Sequence, residues 1–382
     1  MQHKVGALED SHQLLGPKHH HHHQRPPQFR FLHSLLLFLV LGLGICIFSL
    51  NMIRYFGPDL FPIIQSKKMQ QSCNQNGFWF LDSTLLHNLS DAELIKCASS
   101  VSRIEDYRFA RIPKIAFMFL TKGQLPLAPL WERFFAGHEE LYSIYVHPVP
   151  GYVGNYSSSS VFYHRQIPSQ VARWGEMDIC DAERRLLASA LLDPSNEYFI
   201  LLSESCIPIH NFTVVYNYIS NSKYSFMGAF DDPGPVGRGR YNRNMNPVVK
   251  LSQWRKGSQW FELSRKLATD VIRDTKYYPK FRDFCKPSCY VDEHYFQTML
   301  SIQSPRLLAN RSVTFVDWSR RGPHPATFGS NDISKELFSR ISKSVKCSYN
   351  DEPSETCFIF ARKFAPSALQ PLLELAADMF GY

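Results

Sequence analysis

The sequence lacks the short motifs that mark several common classes of protein. No C-x-x-C, H-E-x-x-H or G-x-S-x-G occurs in its 382 residues, which argues against zinc-finger, zincin and α/β-hydrolase chemistry. G-x-G occurs only at 42–44, inside an apolar run, and at 237–239, so a Walker or Rossmann phosphate loop is absent. No run of Lys and Arg exceeds two residues, and nucleic acid is therefore not an expected partner despite the net charge of +8.

An acidic metal-binding pair is missing as well. Asp-x-Asp, the usual clamp for the metal ion of a nucleotide-sugar diphosphate, does not occur. The nearest match, Glu176-Met177-Asp178, lies where a helix is predicted to begin, and acidic residues in a first turn commonly complement the helix dipole. We therefore expect neither a metal ion nor another cofactor.

One long apolar run dominates the N-terminal part. Phe31–Ile53 has 23 residues without Asp, Glu, Lys or Arg, and roughly 20 helical residues cross a membrane. Eight of the nine cysteines and all four N-x-S/T sequons follow it, which indicates a C-terminal part in the secretory lumen. The candidate glycosylation sites are Asn88, Asn155, Asn211 and Asn310. We expect a retained signal anchor; a cleaved signal peptide is the alternative, but its apolar core is usually shorter.

This span divides the chain into four predicted parts. They are a cytosolic tail at 1–30, the transmembrane anchor at 31–53, a stem with an N-terminal extension at 54–111, and a single lumenal domain at 112–382. One helix, Asp91–Val101, is predicted in the extension because Ser90 can cap it. The content of 44% hydrophobic and 20% charged residues is typical of a globular protein.

Strand and helix patterns alternate from residue 114 onward. Continuous apolar runs predict strands at Lys114–Leu120, Tyr142–His147 and Tyr198–Leu202, with helices at Pro129–Phe135 and Asp178–Leu192 between them. This order favours an α/β fold with a mainly parallel sheet flanked by helices. Ligands of such sheets gather at the carboxyl ends of the strands. That rule selects a candidate rim at Thr121, Lys122, Gly123, His147 and Ser203-Glu204-Ser205. For the last three residues, a helix or turn cap at the end of the strand is the alternative.

The segment WRKGSQWF, residues 254–261, interleaves aromatic and basic side chains. Trp rings stack on the apolar faces of sugars, and polar side chains bind the hydroxyls. Trp254, Gln259 and Trp260 are therefore candidates for a sugar-binding groove, together with Glu204. The alternative is a structural pair of tryptophans. The overlapping segment Trp260–Ile272 has the apolar spacing of a helix.

Three consecutive polar residues interrupt the apolar stripe of CYVDEHYFQTML, residues 289–300. Asp292 can cap the helix predicted there, and Glu293 would lie in its first turn, where a carboxylate commonly only complements the dipole. The functional alternative makes Glu293 a general base that deprotonates a hydroxyl. His294 is expected to support rather than to react.

A basic pair lies in the segment CFIFARKFAP, residues 357–366, which is predicted to be an apolar strand. The simplest interpretation is that the side chains of Arg362 and Lys363 are exposed to solvent and have no specific role. In a protein without a metal clamp, however, a fixed lysine could neutralise a leaving diphosphate.

Taken in order, these blocks resemble the core-2/I-branching β-1,6-N-acetylglucosaminyltransferase family (glycosyltransferase family 14), particularly its plant branch. The resemblance extends from Lys114 to about Phe364. Its carriers are KIAFMFLTKGQLPLAPLWERFF, YSIYVH, WGEMDICDAERRLLASAL, YFILLSESCIPI, WRKGSQWFEL, CYVDEHYFQTML and CFIFARKF.

The resemblance implies a type II Golgi membrane protein whose catalytic domain has a GT-A-like fold. It implies inverting, metal-independent transfer of a sugar from a UDP-sugar to a glycan of a glycoprotein or proteoglycan, and some plant relatives are implicated in cell-wall assembly. Glu293 corresponds to the glutamate that is the catalytic base in animal members. Lys363 corresponds to the lysine of an F-A-x-K-F segment that binds the UDP diphosphate. A second basic residue lies upstream of it in those enzymes, and Arg340 and Lys343 are the candidates here.

The chain also departs from the animal pattern. Those members usually have an acidic residue before the Pro-Ile that follows the third strand, whereas this chain has Cys206 there and Glu204 two residues earlier. Eight lumenal cysteines allow up to four disulfides, with Cys285 and Cys289 close enough to pair. A non-catalytic, membrane-anchored carbohydrate-binding or scaffold protein is the competing function, and a hydrolase with paired carboxylates is a third.

Overall fold

The computed structural model describes residues 34–49, 51, 85–101, 111–320, 322 and 324–382. The chain divides into two compact units, Met1–Ser66 and Lys67–Tyr382. In the first unit, helix α1 covers residues 34–49, whereas the ends of the predicted 31–53 span and the tail at 1–30 lie outside the described residues. Among the residues described, no helix has both the length and the hydropathy that a membrane crossing requires. Most of the predicted stem also lies outside the described residues.

The second unit contains the remaining helices and all of the strands described here. Its helices are α2 (Asp91–Val101), α3 (Ala128–Phe135), α4 (Met177–Leu191), α5 (Phe212–Ser220), α6 (Arg265–Arg273), α7 (Tyr278–Phe284), α8 (Tyr295–Gln303), α9 (Lys335–Lys343) and α10 (Leu369–Phe380). Its strands are β1 (Lys114–Leu120), β2 (Tyr142–His147), β3 (Asn196–Ser203), β4 (Ile207–Pro208), β5 (Glu262–Ser264), β6 (Thr314–Val316), β7 (Cys347–Tyr349), β8 (Glu352–Ser354) and β9 (Phe360–Arg362).

A four-stranded sheet with the order β2-β1-β3-β5 forms the centre of this unit. Strands β2, β1 and β3 are parallel, and β5 is an antiparallel edge strand. Successive side chains of β1 alternate between two hydrophobic cores, as a pleated strand requires. Phe117 and Phe119 pack with α3 in one core, and Ala116 and Met118 lie with α4 in the other. The predicted α/β class with a mainly parallel, helix-flanked sheet is confirmed.

A second, three-stranded sheet with the order β4-β9-β6 lies beside the carboxyl end of β3. Strand β4 follows β3 after three residues and pairs antiparallel with β9, which pairs in parallel with β6. The Phe364 N–H donates to the Ser205 carbonyl at 3.0 Å. This bond fixes the end of β9 against the end of β3, so residues far apart in the sequence meet at one edge.

Two predicted elements differ from the structure. Trp260–Ile272 is not one helix: Glu262–Ser264 forms β5, which pairs with β3 (Ile200 opposite Glu262), and the helix begins only at Arg265. Pairing with β3 satisfies the backbone there, which helical spacing alone does not reveal. The strand predicted within residues 357–366 is limited to Phe360–Arg362.

The cysteines form fewer bridges than their number allows. Cys285 pairs with Cys289, as its spacing suggested, and Cys347 pairs with Cys357. Cys180 and Cys206 are buried thiols, so the eight cysteines after the apolar run form at most three disulfides rather than four.

Glu262 is a buried carboxyl in β5 with 2% of its surface exposed. Its Oε2 accepts a hydrogen bond from the Phe226 N–H at 3.2 Å, and burial raises the pKa of this carboxyl from 4.5 to about 8. The folded chain therefore keeps a proton that the unfolded chain releases. As a result, stability falls as the pH rises from 4.5 through about 8.

We expect Glu262→Gln to remove this loss, because the amide keeps the shape and the acceptor oxygen without ionising. At pH of about 8 the variant should be more stable by on the order of 1–3 kcal/mol, and the difference should narrow towards pH of about 5. Urea unfolding at several pH values measures this. The exposed Glu355→Gln is the control, and equal pH slopes for wild type and Glu262→Gln would contradict the prediction.

Candidate active site

One cleft of about 1380 Å³ lies at the carboxyl ends of the central strands. The residues selected from the sequence that line it include Thr121, Lys122, His147, Ser203, Glu204, Ser205, Gln259, Trp260, Glu293 and Lys363. They come from the ends of β1, β2 and β3, from the loop before β5, from the turn before α8 and from the end of β9. The topology thus brings together side chains from across the chain.

Glu293 ends a short 3-10 turn, Val291–Glu293, that precedes α8. It does not lie in the first turn of the α-helix, which begins at Tyr295. Its Oε2 accepts from Lys256 Nζ at 2.6 Å and from Arg240 Nη1 at 3.0 Å. The Glu293 side chain keeps 23% of its surface exposed, so two cations stabilise its charge while the carboxylate remains open to the cleft.

The cation Arg240 is itself held in place by an aromatic ring. Its guanidinium carbon lies 4.0 Å from the centre of the Tyr290 ring, a distance typical of a cation–π contact. Tyr290 has a φ of 56°, in the left-handed region, and immediately precedes the Val291–Glu293 turn. The residues that hold Glu293 and the turn that presents it are therefore packed together.

Gly257 joins the WRKGSQWF segment to the same turn. Its N–H donates to the Glu293 carbonyl at 2.9 Å. A Cβ at this position would lie 1.8 Å from the Gly228 carbonyl oxygen and 2.7 Å from Gln297 Cγ. Only glycine allows these backbones to approach so closely.

The neighbours of Glu293 differ from it in charge and burial. Burial raises the pKa of Asp292 to about 7, and the adjacent Glu293 charge adds to this. His294 is fully buried and uses Nδ1 to donate to the Arg255 carbonyl at 2.8 Å. Burial lowers the pKa of His294 to about 4, so its imidazole is neutral at neutral pH. The side chain has the supporting place expected for it.

Trp254 does not line the cleft, and its assignment to sugar binding is corrected. It is 1% exposed, with its ring stacked on Phe281 at 5.4 Å and on His294 at 4.5 Å. Its indole N–H donates to the Gly237 carbonyl at 3.0 Å. Protein groups occupy both the ring and its polar handle, so the structural alternative holds for this tryptophan.

Trp260 and Gln259 both line the cleft but have protein partners. The Arg362 guanidinium lies 3.9 Å from the centre of the Trp260 ring. The side-chain amide of Gln259 donates to Glu183 Oε1 at 2.7 Å. At least one face of Trp260 is therefore covered by a cation.

Other aromatic side chains line the cleft with more surface exposed, and the sequence analysis missed them. Trp174, Trp318 and Phe230 are about half exposed, at 53%, 51% and 50%. Tyr290 also lines the cleft, 4.9 Å from the Trp174 ring. Isolated aromatic residues in loops carry no periodic signal, so only the structure distinguishes them from core tryptophans.

Lys363 lies among charged groups from three strand ends. Burial lowers the pKa of its ammonium group, as do the charges of Arg362 and Lys122, whereas Glu204 raises it. The Lys363 carbonyl accepts from the Phe328 N–H at 2.8 Å, which fixes the backbone. Arg362 is not a solvated residue: its Nε is buried and has no hydrogen-bond partner among the described residues.

The remaining rim residues are anchored by the sheet. His147 Nε2 lies 2.9 Å from Arg185 Nη1 and 3.3 Å from the Gln170 N–H, and burial lowers the pKa of His147 to about 4. Thr121 donates its hydroxyl to the Gly123 carbonyl at 3.0 Å. Gly123 itself does not line the cleft.

Arg340 is exposed in the last turn of α9 and does not line the cleft. Its assignment to the diphosphate stays a prediction from the resemblance. Cys206 is fully buried, whereas Glu204 lines the cleft, so Glu204 is the carboxylate that β3 presents there. Within the described ranges, no group of three or more His, Cys, Asp or Glu side chains is placed to hold a metal ion.

The four sequons differ in environment. Asn88, Asn155 and Asn310 are exposed. Asn211 is half-buried, and its side chain caps α5 by accepting from the Val214 N–H at 2.9 Å. The first three are therefore the more accessible candidates for modification.

Comparisons with known proteins agree with this architecture. Residues 115–342, more than half of the chain, match the family described as Branch: Core-2/I-Branching enzyme. The chain is 37% identical over 309 residues to Glycosyltransferase BC10 from Oryza sativa subsp. japonica, covering 69% of this chain and 76% of that protein. The chain belongs to the core-2/I-branching enzyme family. It is a glycosyltransferase, as the sequence blocks predicted.

We expect Gly257→Ala to lower the free energy of unfolding by about 1–3 kcal/mol, because the added methyl group overlaps the Gly228 carbonyl. Thermal unfolding measures the loss. Gly239→Ala is the matched control, since a Cβ there would meet its nearest atom at an ordinary 3.5 Å. Equal melting temperatures for the two variants would show that Gly228 can move away at no cost.

Proposed function

We propose that this glycosyltransferase is inverting and metal-independent, and that it moves a sugar from a UDP-sugar to a hydroxyl of a glycan on a glycoprotein or proteoglycan. The observation that carries the proposal is the cleft itself. It contains the carboxylate of Glu293, which is bonded to Arg240 and Lys256. Near the end of β9 it also contains the cations Lys363, Arg362 and Lys122, which outnumber the nearby carboxylate of Glu204. Both groups lie in a domain whose mainly parallel sheet is compatible with a GT-A-like catalytic fold.

Glu293 is the general base in this proposal. Its carboxylate takes the proton of the acceptor hydroxyl as that oxygen forms a bond to the anomeric carbon of the donor sugar. The bond from the anomeric carbon to the diphosphate breaks, and its electron pair leaves with UDP. Attack and departure on opposite faces invert the configuration, so one base is sufficient.

Lys363, Arg362 and Lys122 provide positive charge for the leaving diphosphate. Fixed cations stabilise negative charge that develops in a transition state, because they need no reorganisation at the moment of reaction. Arg362 is buried against Trp260, and the backbone of Lys363 is held by the Phe328 N–H, which donates to its carbonyl. These contacts support a metal-free mechanism, since side chains supply the charge that a metal ion would otherwise supply.

The exposed aromatic residues supply a surface for sugar rings. Trp174, Trp318 and Phe230 present apolar faces of the kind that stack on carbohydrates, and Glu204 and Gln259 supply polar groups in the same cleft. We assign the acceptor glycan to this surface. UDP-sugar and glycan acceptor are the partners.

We also place the chain in the Golgi membrane as a single-pass type II protein with its catalytic part in the lumen. The uncharged 31–53 run supports an anchor. The exposed sequons and the disulfides Cys285–Cys289 and Cys347–Cys357 support an oxidising lumenal compartment.

Glu293→Gln should lower the turnover number by a factor on the order of 10² to 10⁴, because the amide cannot accept the proton. Transfer from a panel of UDP-sugars to glycan acceptors, with the anomeric configuration of the product read by nuclear magnetic resonance, measures both rate and stereochemistry. Glu355→Gln should keep wild-type turnover. Unchanged turnover in Glu293→Gln, or a product that retains the donor configuration, would refute the assigned mechanism.

Lys363→Ala should weaken binding of UDP by roughly 10-fold or more, because a charge-assisted contact to the diphosphate is worth about 1.5–3 kcal/mol. Titration calorimetry with UDP measures the change. The exposed Lys266→Ala, which lies outside the cleft, is the control, and Arg340→Ala and Lys343→Ala test the two residues assigned from the resemblance. Turnover should also continue in the presence of EDTA, because the proposed mechanism uses no metal ion. Activity that disappears with EDTA and returns with Mn²⁺ would exclude the metal-free mechanism.

A further inference from the structure

Asp292 is a cleft-lining carboxyl that the mechanism above does not use. It is 5% exposed and yet lines the cleft. Its Oδ1 is buried and has no hydrogen-bond partner in the described part of the chain. Buried polar atoms in native proteins almost always have a partner, so an orphan at a cleft wall indicates a bound water or a ligand.

The surroundings of Asp292 are rigid and carry polar groups from two neighbouring segments. Gln297 Nε2 donates both to the Asp292 carbonyl at 3.0 Å and to the Ser258 carbonyl at 2.9 Å. On α4, the fully buried Glu183 accepts from Gln259, which also lines the cleft. The backbone of Asp292 is therefore fixed at the cleft wall by the side chain of Gln297.

The two adjacent carboxyls have different electrostatic environments. Both Arg240 and Lys256 are bonded to Glu293, and no ion pair joins either cation to Asp292 within the described residues. Burial and the neighbouring Glu293 charge raise the pKa of Asp292 to about 7, and burial raises the pKa of Glu183 well above its usual value. Two neighbouring carboxyls that differ in burial and in ion pairing are suited to different roles.

A carboxyl that holds its proton can both donate and accept a hydrogen bond. A sugar hydroxyl has the same two capacities, whereas a phosphate accepts only and would be repelled by the nearby Glu293 charge. The chemistry of the floor therefore fits a hydroxyl of a sugar better than it fits the nucleotide.

We infer that Asp292 is a sugar-binding residue, whose carboxyl is the hydrogen-bond partner of a substrate hydroxyl beside the hydroxyl that Glu293 deprotonates. This inference rests on the proposed function. It assigns to Asp292 binding and orientation, and to Glu293 the proton transfer. The bound hydroxyl belongs either to the donor sugar or to the acceptor, and experiment separates the two.

The test compares Asp292→Ala and Asp292→Asn in the full-length protein. Alanine removes the partner, and asparagine keeps a donor and an acceptor of nearly the same shape. Asp292→Ala should bind UDP within about twofold of wild type but should raise either the Kd of the UDP-sugar or the KM of the acceptor roughly 10- to 100-fold. Asp292→Asn should recover most of that loss.

The outcomes distinguish the inference from the proposed function. A weakened UDP-sugar with unchanged UDP assigns the hydroxyl to the donor, and a raised acceptor KM with unchanged donor binding assigns it to the acceptor. Normal transfer by Asp292→Ala, or an equal loss of UDP and UDP-sugar affinity, overturns the inference and leaves the proposed function standing. Wild-type protein that transfers from no UDP-sugar overturns the proposed function itself.

Discussion

The charge of Glu293 inside a partly enclosed cleft is the constraint on which the rest of the site depends. A carboxylate removed from water needs nearby cations or it takes up a proton. Arg240 and Lys256 both form ion pairs with Glu293, and among the described residues neither forms one with the adjacent Asp292. The packing of Tyr290 against Arg240 holds one of these cations in place. Gly257 allows the segment that carries Lys256 to bond directly to the turn that carries Glu293.

The second half of the site comes from the junction of two sheets. Strand β3 leads through Glu204 to β4, and β4 pairs with β9, whose end carries Arg362 and Lys363. The backbone contact between Phe364 and Ser205 closes this junction. Parallel strands place their carboxyl ends at one edge, and the small sheet extends that edge with positive charge.

Local signals in the sequence predicted the scaffold well and the details of the site only in part. Apolar runs fixed β1 and β2 to the residue, and the strand-end rule found Lys122, His147 and Glu204. Exposure of a single aromatic ring depends on distant packing, which explains why Trp254 was misassigned while Trp174 and Trp318 were missed. Distant packing also explains why Arg362 is buried, since its guanidinium lies on Trp260. It likewise explains why Glu262–Ser264 is a strand, since these residues pair with β3. Local patterns offered functional roles for Glu293 and Lys363 only beside a helix-dipole or a solvated role, and the family resemblance favoured the functional alternatives.

The ion pairs of Glu293 have a consequence for the end of the catalytic cycle. In the mechanism proposed above, Glu293 takes up the proton of the acceptor hydroxyl and then no longer balances the charges of Arg240 and Lys256. Under that proposal the cleft would hold the departing UDP more strongly than the donor, so product release and the restoration of the two ion pairs would be linked.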